Sequence, residues 1–167
     1  MQAQLQQVFE NIKGLPLTKT TRNELVQYFH FGNTHYTTSQ GLILDVGVFV
    51  LAVNCPWQFV QENADTIKHN EVFIRKREAG LPSTKFDWKV PGANLRDQRL
   101  KDLILESPSL TVEAVELQEN NGILLRFMGN IQLIINPDLT KEQEIYWQLF
   151  SNTDDQVNIT AGITGIL

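Results

Sequence analysis

The fold class turns on the stretch Leu110-Thr111-Val112-Glu113-Ala114-Val115-Glu116-Leu117, Glu119-Asn120-Asn121-Gly122 and Ile123-Leu124-Leu125-Arg126-Phe127. The first segment alternates polar and apolar residues, as a half-buried strand must, apart from one slip near Ala114-Val115 that predicts a β-bulge. Asn121-Gly122 supplies residues that tolerate positive φ, so a tight hairpin turn is expected there. The chain returns through 123–127, turns again at Met128-Gly129-Asn130, and forms a third strand over Ile131–Ile135 that ends at Asn136-Pro137-Asp138. Three strands joined by two short turns form an antiparallel meander.

Upstream of the meander, Asn94 caps a helix expected over Leu95–Glu106, with Asp97 in its first turn and Ser107-Pro108-Ser109 ending it. Residues 75–92 hold Arg75-Lys76-Arg77, Gly80, Pro82, Pro91 and Gly92 without periodicity, and read as an irregular excursion. Further upstream the grammar is β: Leu25–Phe31, Leu42–Val53, Trp57–Val60, Thr66-Ile67 and Val72–Ile74. Asp45 and Gly47 divide the long apolar run into two strands or one bulged strand, and Pro56 stops it. At the N-terminus, Leu5, Val8, Phe9 and Ile12 fall at i, i+3, i+4 and i+7, giving a short amphipathic helix over about 2–13 that stops at Gly14. Downstream, Thr140–Phe150 reads as a second capped helix, and the tail from Asn152 is expected to add an edge strand. The expected fold class is therefore α+β: a mostly antiparallel, meander-rich sheet with two or three short helices.

At 167 residues the chain suits one domain, 1–167, large enough to bury a core without staples. No apolar run approaches the roughly 20 residues of a membrane span, and no signal-like leader is visible at the N-terminus. With a single cysteine, Cys55, the expected compartment is a reducing cytoplasm. Residues 1–90 carry nine basic and eight acidic residues, whereas 91–167 carry five and eleven, so the net charge of −5 arises in the C-terminal half. That balance disfavours nucleic acid, and Arg75-Lys76-Arg77 is too short for a phosphate-binding patch. An acidic surface suits a basic partner, whose association it would steer.

Catalytic machinery is not legible. The glycines sit at turns rather than in a phosphate cradle, so no nucleotide cofactor is expected. His30, His35 and His69 lack metal-ligand spacing, and His30 sits in an apolar strand where a hydrogen-bonded structural role is ordinary. Cys55, before a proline in an apolar run, reads as a small buried hydrophobe. The acid pairs Glu113/Glu116 and Glu142/Glu144 read as solvated surface or helix-start charges rather than an acid–base dyad. No catalytic, cofactor or metal residue is predicted, and the chain is not expected to be an enzyme.

Three segments carry a resemblance: Phe29-His30-Phe31-Gly32, Val50-Leu51-Ala52-Val53-Asn54-Cys55-Pro56-Trp57 and Glu144-Ile145-Tyr146-Trp147-Gln148-Leu149-Phe150. They resemble small bacterial proteins with a "CPWR"-like strand end and an "EYWRLF"-like terminal helix, a group similar to the immunity proteins of polymorphic-toxin and contact-dependent growth inhibition systems. Gln58 and Gln148 stand where that group commonly shows Arg. Trp57 and Trp147 read as apolar anchors beneath the sheet. The resemblance implies a cytoplasmic protein that binds the C-terminal domain of a cognate toxin, one to one, and covers its active site. The expected toxin-binding residues are Glu113, Glu116, Glu119, Asp154 and Asp155. A binding or scaffold module without catalysis is the alternative.

Overall fold

A computed structural model describes residues 2–80, 85–107, 110–141, 145–162 and 165–166. The architecture is α+β, and the sheets are antiparallel throughout. Helix α1 (Gln2–Phe9) runs into a 3-10 turn at Glu10–Ile12, and Gly14, at φ 86, ends the element in the left-handed conformation that favours glycine. Strands β1 (Leu17–Asn23), β2 (Val26–Phe31), β3 (Thr34–Thr37), β4 (Ile43–Val46), β5 (Phe49–Val53), β6 (Trp57–Gln61) and β7 (Ile67–Lys68) follow. Helix α2 (Leu95–Glu106) precedes β8 (Val112–Leu117), β9 (Ile123–Phe127), β10 (Ile131–Ile135), β11 (Trp147–Ser151), β12 (Asn158–Gly162) and β13 (Gly165–Ile166).

Two sheets carry the fold. The first has the order β1-β2-β5-β11-β12-β13, the second β7-β6-β10-β9-β8, and β3-β4 is a separate hairpin. Alternate residues of both sheets enter one shared core. Phe29 on β2 meets Trp57 and Phe59 on β6 edge-on, with centroids 5.2 and 5.8 Å apart. The chain passes from the first sheet to the second within three residues, Asn54-Cys55-Pro56. There the Asn54 N–H donates to the Tyr146 carbonyl and the Asn136 N–H to the Pro56 carbonyl.

The predicted meander is present as β8-β9-β10, with two adjustments. The bulge falls at Glu113, between the pairs Val112–Phe127 and Ala114–Arg126, one residue before the expected slip. The left-handed residues of the hairpin turn are Asn120 and Asn121, while Gly122 has φ −70. The turn sits one residue early because Gly122 closes it, donating its N–H to the Glu119 carbonyl and accepting from Gln118. Asp45 and Gly47 do split their run into β4 and β5.

Two sequence expectations are corrected. Val72–Ile74 is not a strand: His69–Phe73 forms a 3-10 turn, stabilised where the Glu71 carboxylate accepts the Lys68 N–H. Thr140–Phe150 is not a helix either. Trp147–Ser151 forms β11, central in the first sheet between β5 and β12, with Trp147, Leu149 and Ser151 buried alternately. Its period-two burial and pairing on both edges outweigh the helix-like start signal. Thr140 instead donates to the Asp138 carboxylate in a local turn, and Glu142 and Glu144 lie outside the described residues. The tail adds two strands rather than one edge strand: β12 pairs with β11, and β13 pairs with β12 at the edge.

Candidate binding surfaces

The five predicted partner-binding acids fall into two groups. Glu113 and Glu116 lie exposed on β8, and Glu119 is exposed in the turn that follows. Glu116 pairs with Arg126 on β9 at 3.3 Å, both side chains about half-exposed. Among the described residues, Glu113 and Glu119 have no ion-pair partner. Asp154 and Asp155 belong instead to the β11–β12 turn of the other sheet. There Asp154 shapes the loop, accepting the Gln156 N–H and donating its own N–H to Ser151 Oγ. The structure thus brings Glu113, Glu116 and Glu119 onto one strand and its turn, and leaves Asp154 and Asp155 apart.

The residues that could act as nucleophile or base are committed elsewhere. Cys55 is buried, and burial pushes its thiol up to about 12, so it carries no thiolate at neutral pH. His30 accepts the Gly47 N–H on Nδ1 (3.1 Å), so its proton sits on Nε2, which faces Thr21 Oγ1 at 2.9 Å. Burial, with Lys19 nearby, pushes its pKa down to about 4. The junction needs glycine at 47, because a Cβ there would stand 2.7 Å from both Phe31 N and Phe49 O. His35 forms an exposed pair with Asp45 at 2.9 Å, and the His69 imidazole bonds to the Trp57 backbone and has its pKa lowered by burial and by the nearby Arg96. Among the described residues, no three metal-ligating side chains cluster.

A second surface has no counterpart in the sequence expectations. A cavity of about 730 Å³ opens between β1, α2 and the loop at 89–92. Asn94 caps α2 by accepting the Asp97 N–H at 2.8 Å, which fixes Asp97 toward β1. Arg22 on β1 meets it there, its Nε 2.9 Å from each carboxylate oxygen. The remaining Arg22 donors reach the carbonyls of Trp88, Val90 and Glu24, so one side chain ties strand, loop and helix together. Lys89 and Lys101 stand around the opening, with Ile104 and Leu105 as an apolar wall, while the Lys19 ammonium is turned away to the Asp45 carbonyl.

Gln27, buried on the inner side of β2, also lines this cavity. Its Nε2 donates to the Thr21 carbonyl, while its Oε1 has no partner. Close by, Arg96 is buried with its guanidinium 5.5 Å over the Trp57 ring, and its Nε is also unpartnered. Burial brings the Arg96 pKa down to about 10, so the side chain stays cationic. One signal for this region was present in the sequence: Arg96, Arg99, Leu100 and Leu103 occupy the i, i+3, i+4, i+7 face of α2. That spacing places two arginines on the buried side, and Arg99 accordingly pairs with Glu71 at 2.6 Å.

Among the described residues, no helix is long and apolar enough to cross a membrane. Compared with protein-family models, curated proteins and solved structures, the chain finds no match.

Proposed function

We propose that the protein is a stoichiometric, non-catalytic inhibitor, an immunity protein that neutralises the C-terminal domain of a cognate bacterial toxin. The observation that carries this reading is the grouping of Glu113, Glu116 and Glu119 along β8 and its turn, with Arg126 the one cation paired to them among the described residues. Such an edge attracts a basic toxin domain, a nuclease being the natural case, and repels the toxin's phosphate substrate. Inhibition is steric: a rigid sheet margin covers the groove, burying on the order of 1,600 Å² in total. Asp154 and Asp155, on the other sheet, take a secondary steering role. The buried thiol of Cys55 and the pinned imidazole of His30 support a binding rather than a chemical role.

The alternative, a protein-binding or scaffold module without a toxin partner, draws on the β3-β4 hairpin, which exposes Tyr36, Leu42, Ile43 and Leu44. Co-expression separates the two. The C-terminal domain of any toxin-like protein encoded next to this chain is expressed alone and with this protein in the cytoplasm, and growth is followed. Rescue together with a 1:1 co-purifying complex is expected. Toxicity without rescue would overturn the immunity reading in favour of the scaffold.

A further inference from the structure

We propose that the cavity between β1 and α2 is a binding site for a small amphipathic anion. The anionic head would meet the lysines at its mouth, the apolar body would lie against Ile104 and Leu105, and an N–H or O–H would face Gln27. This inference is independent of the toxin-binding reading.

Three observations converge on it. The first is size: about 730 Å³ lies within the roughly 300–1,000 Å³ of small-molecule sites. The second is charge. Arg22 and Asp97 neutralise each other inside the wall, and Lys89 stands 3.9 Å from Glu24. Lys101, exposed on α2, remains without a carboxylate partner among the described residues. A mouth with this cationic excess, in a protein of net charge −5, selects anions locally against the field of the whole.

The third observation is the unmet hydrogen-bonding capacity. Buried polar atoms are almost always paired. One exception lines this cavity: Gln27 Oε1, an acceptor. The orientation of the Gln27 amide is set by the bond from Nε2 to Thr21, so the free atom is the oxygen. It calls for a donor on the ligand. The lysine mouth calls for an oxyanion, and the Ile104–Leu105 wall for a hydrocarbon or aromatic body.

The test uses the full chain and 1-anilinonaphthalene-8-sulfonate, which combines a sulfonate, an aromatic body and one N–H. Saturable 1:1 binding with enhanced fluorescence is expected, together with amide shift changes confined to β1, β2, α2 and the 89–92 loop. Lys101→Glu, an exposed helix substitution whose folding is checked by its melting curve, is expected to weaken binding about tenfold, and added salt to weaken it further. Gln27→Leu should weaken the sulfonate about tenfold but leave octanoate, which has no donor, bound as before. Octanoate and octyl phosphate should compete with the dye, and inorganic phosphate should not. Absence of saturable binding, shift changes at the β3-β4 hairpin instead, or an unaltered Lys101→Glu variant would each overturn the proposal.

Discussion

The two helices close the two-sheet core by different means. Helix α1 does so with hydrocarbon: Leu5, Phe9 and Ile12 are buried, and Phe9 meets Trp147 edge-on at 5.4 Å. A long-range side-chain bond, from Gln6 to the Val115 carbonyl, fills an acceptor on β8. Helix α2 buries leucines as well, but it adds Arg96 and the pairs Arg22–Asp97 and Arg99–Glu71. Among the described residues the unpartnered buried atoms are Arg96 Nε on α2 and Gln27 Oε1, which lines a cavity twice the size of the cleft at α1, about 730 against 340 Å³. Apolar packing can fill a margin completely. Paired charges hold elements at fixed separations and leave room between them.

That difference can be broken from either side. Phe9→Ala should have the largest effect, about 4 kcal/mol in urea unfolding, because a fully buried ring leaves a cavity that neighbours refill poorly. A loss under about 1 kcal/mol would mean that α1 does not seal the core. Asp97→Ala comes next, at about 3 kcal/mol, since it strands the Arg22 charge, whose side chain is 7% exposed, and frees the 88–92 loop. The double variant Arg22→Met, Asp97→Leu should recover most of that loss, as buried pairs replaced by apolar residues often do. If the double variant is as unstable as Asp97→Ala, the pair stabilises more than a hydrocarbon contact would.

The apolar half of this comparison was legible in the sequence, and the charged half was only partly so. The stripe Leu5, Val8, Phe9, Ile12 announces α1 and its docking, and Asn94-Asp97 announces the cap of α2. The β8-β10 meander could be read because its alternation and turns are local. β11 could not, because a strand between β5 and β12 is defined by partners roughly 100 residues upstream and ten downstream. Its aromatic run has no local pattern to oppose the helix-start signal before it. The cavity was hidden for the same reason: Arg22, Gln27 and Asp97 lie up to 75 residues apart, and only β1 packing on α2 brings them together. Glu113, Glu116 and Glu119 were legible as acids, but only the strand aligns them.

A smaller effect tests the His30 junction, which lies in the first sheet away from both helices. Its folded pKa, about 4, lies below the ordinary 6.5, so the unfolded chain binds more protons between those values. Stability from this group is complete above pH 6.5 and lost as pH falls toward 4, about 2 kcal/mol of it by pH 4.5. Protonating Nδ1 also removes the acceptor for the Gly47 N–H. Urea unfolding at pH 4.5 and pH 7, run on the wild type and His30→Gln, isolates this contribution from the carboxylates, which titrate in both proteins. Equal pH dependence in the two would show that the imidazole is not held neutral by the fold.

The smallest stability effect belongs to the acidic strand, which lies outside both helix margins. Glu113 has no partner among the described residues, and the Glu116–Arg126 pair is half-exposed. Reversing both acids to lysine should therefore change stability by less than about 0.5 kcal/mol. Binding should respond in the opposite proportion. Two reversed charges at a steering edge slow association with a basic toxin domain and flatten its salt dependence, while dissociation changes less. The same substitutions on Asp154 and Asp155 should alter association less, because those residues sit on the other sheet and Asp154 is engaged in its own loop. Stopped-flow association at low and high salt separates the two sites. Equal effects from both pairs would reduce the role of β8 to net charge alone, and no effect from either would remove the acidic edge from the interface.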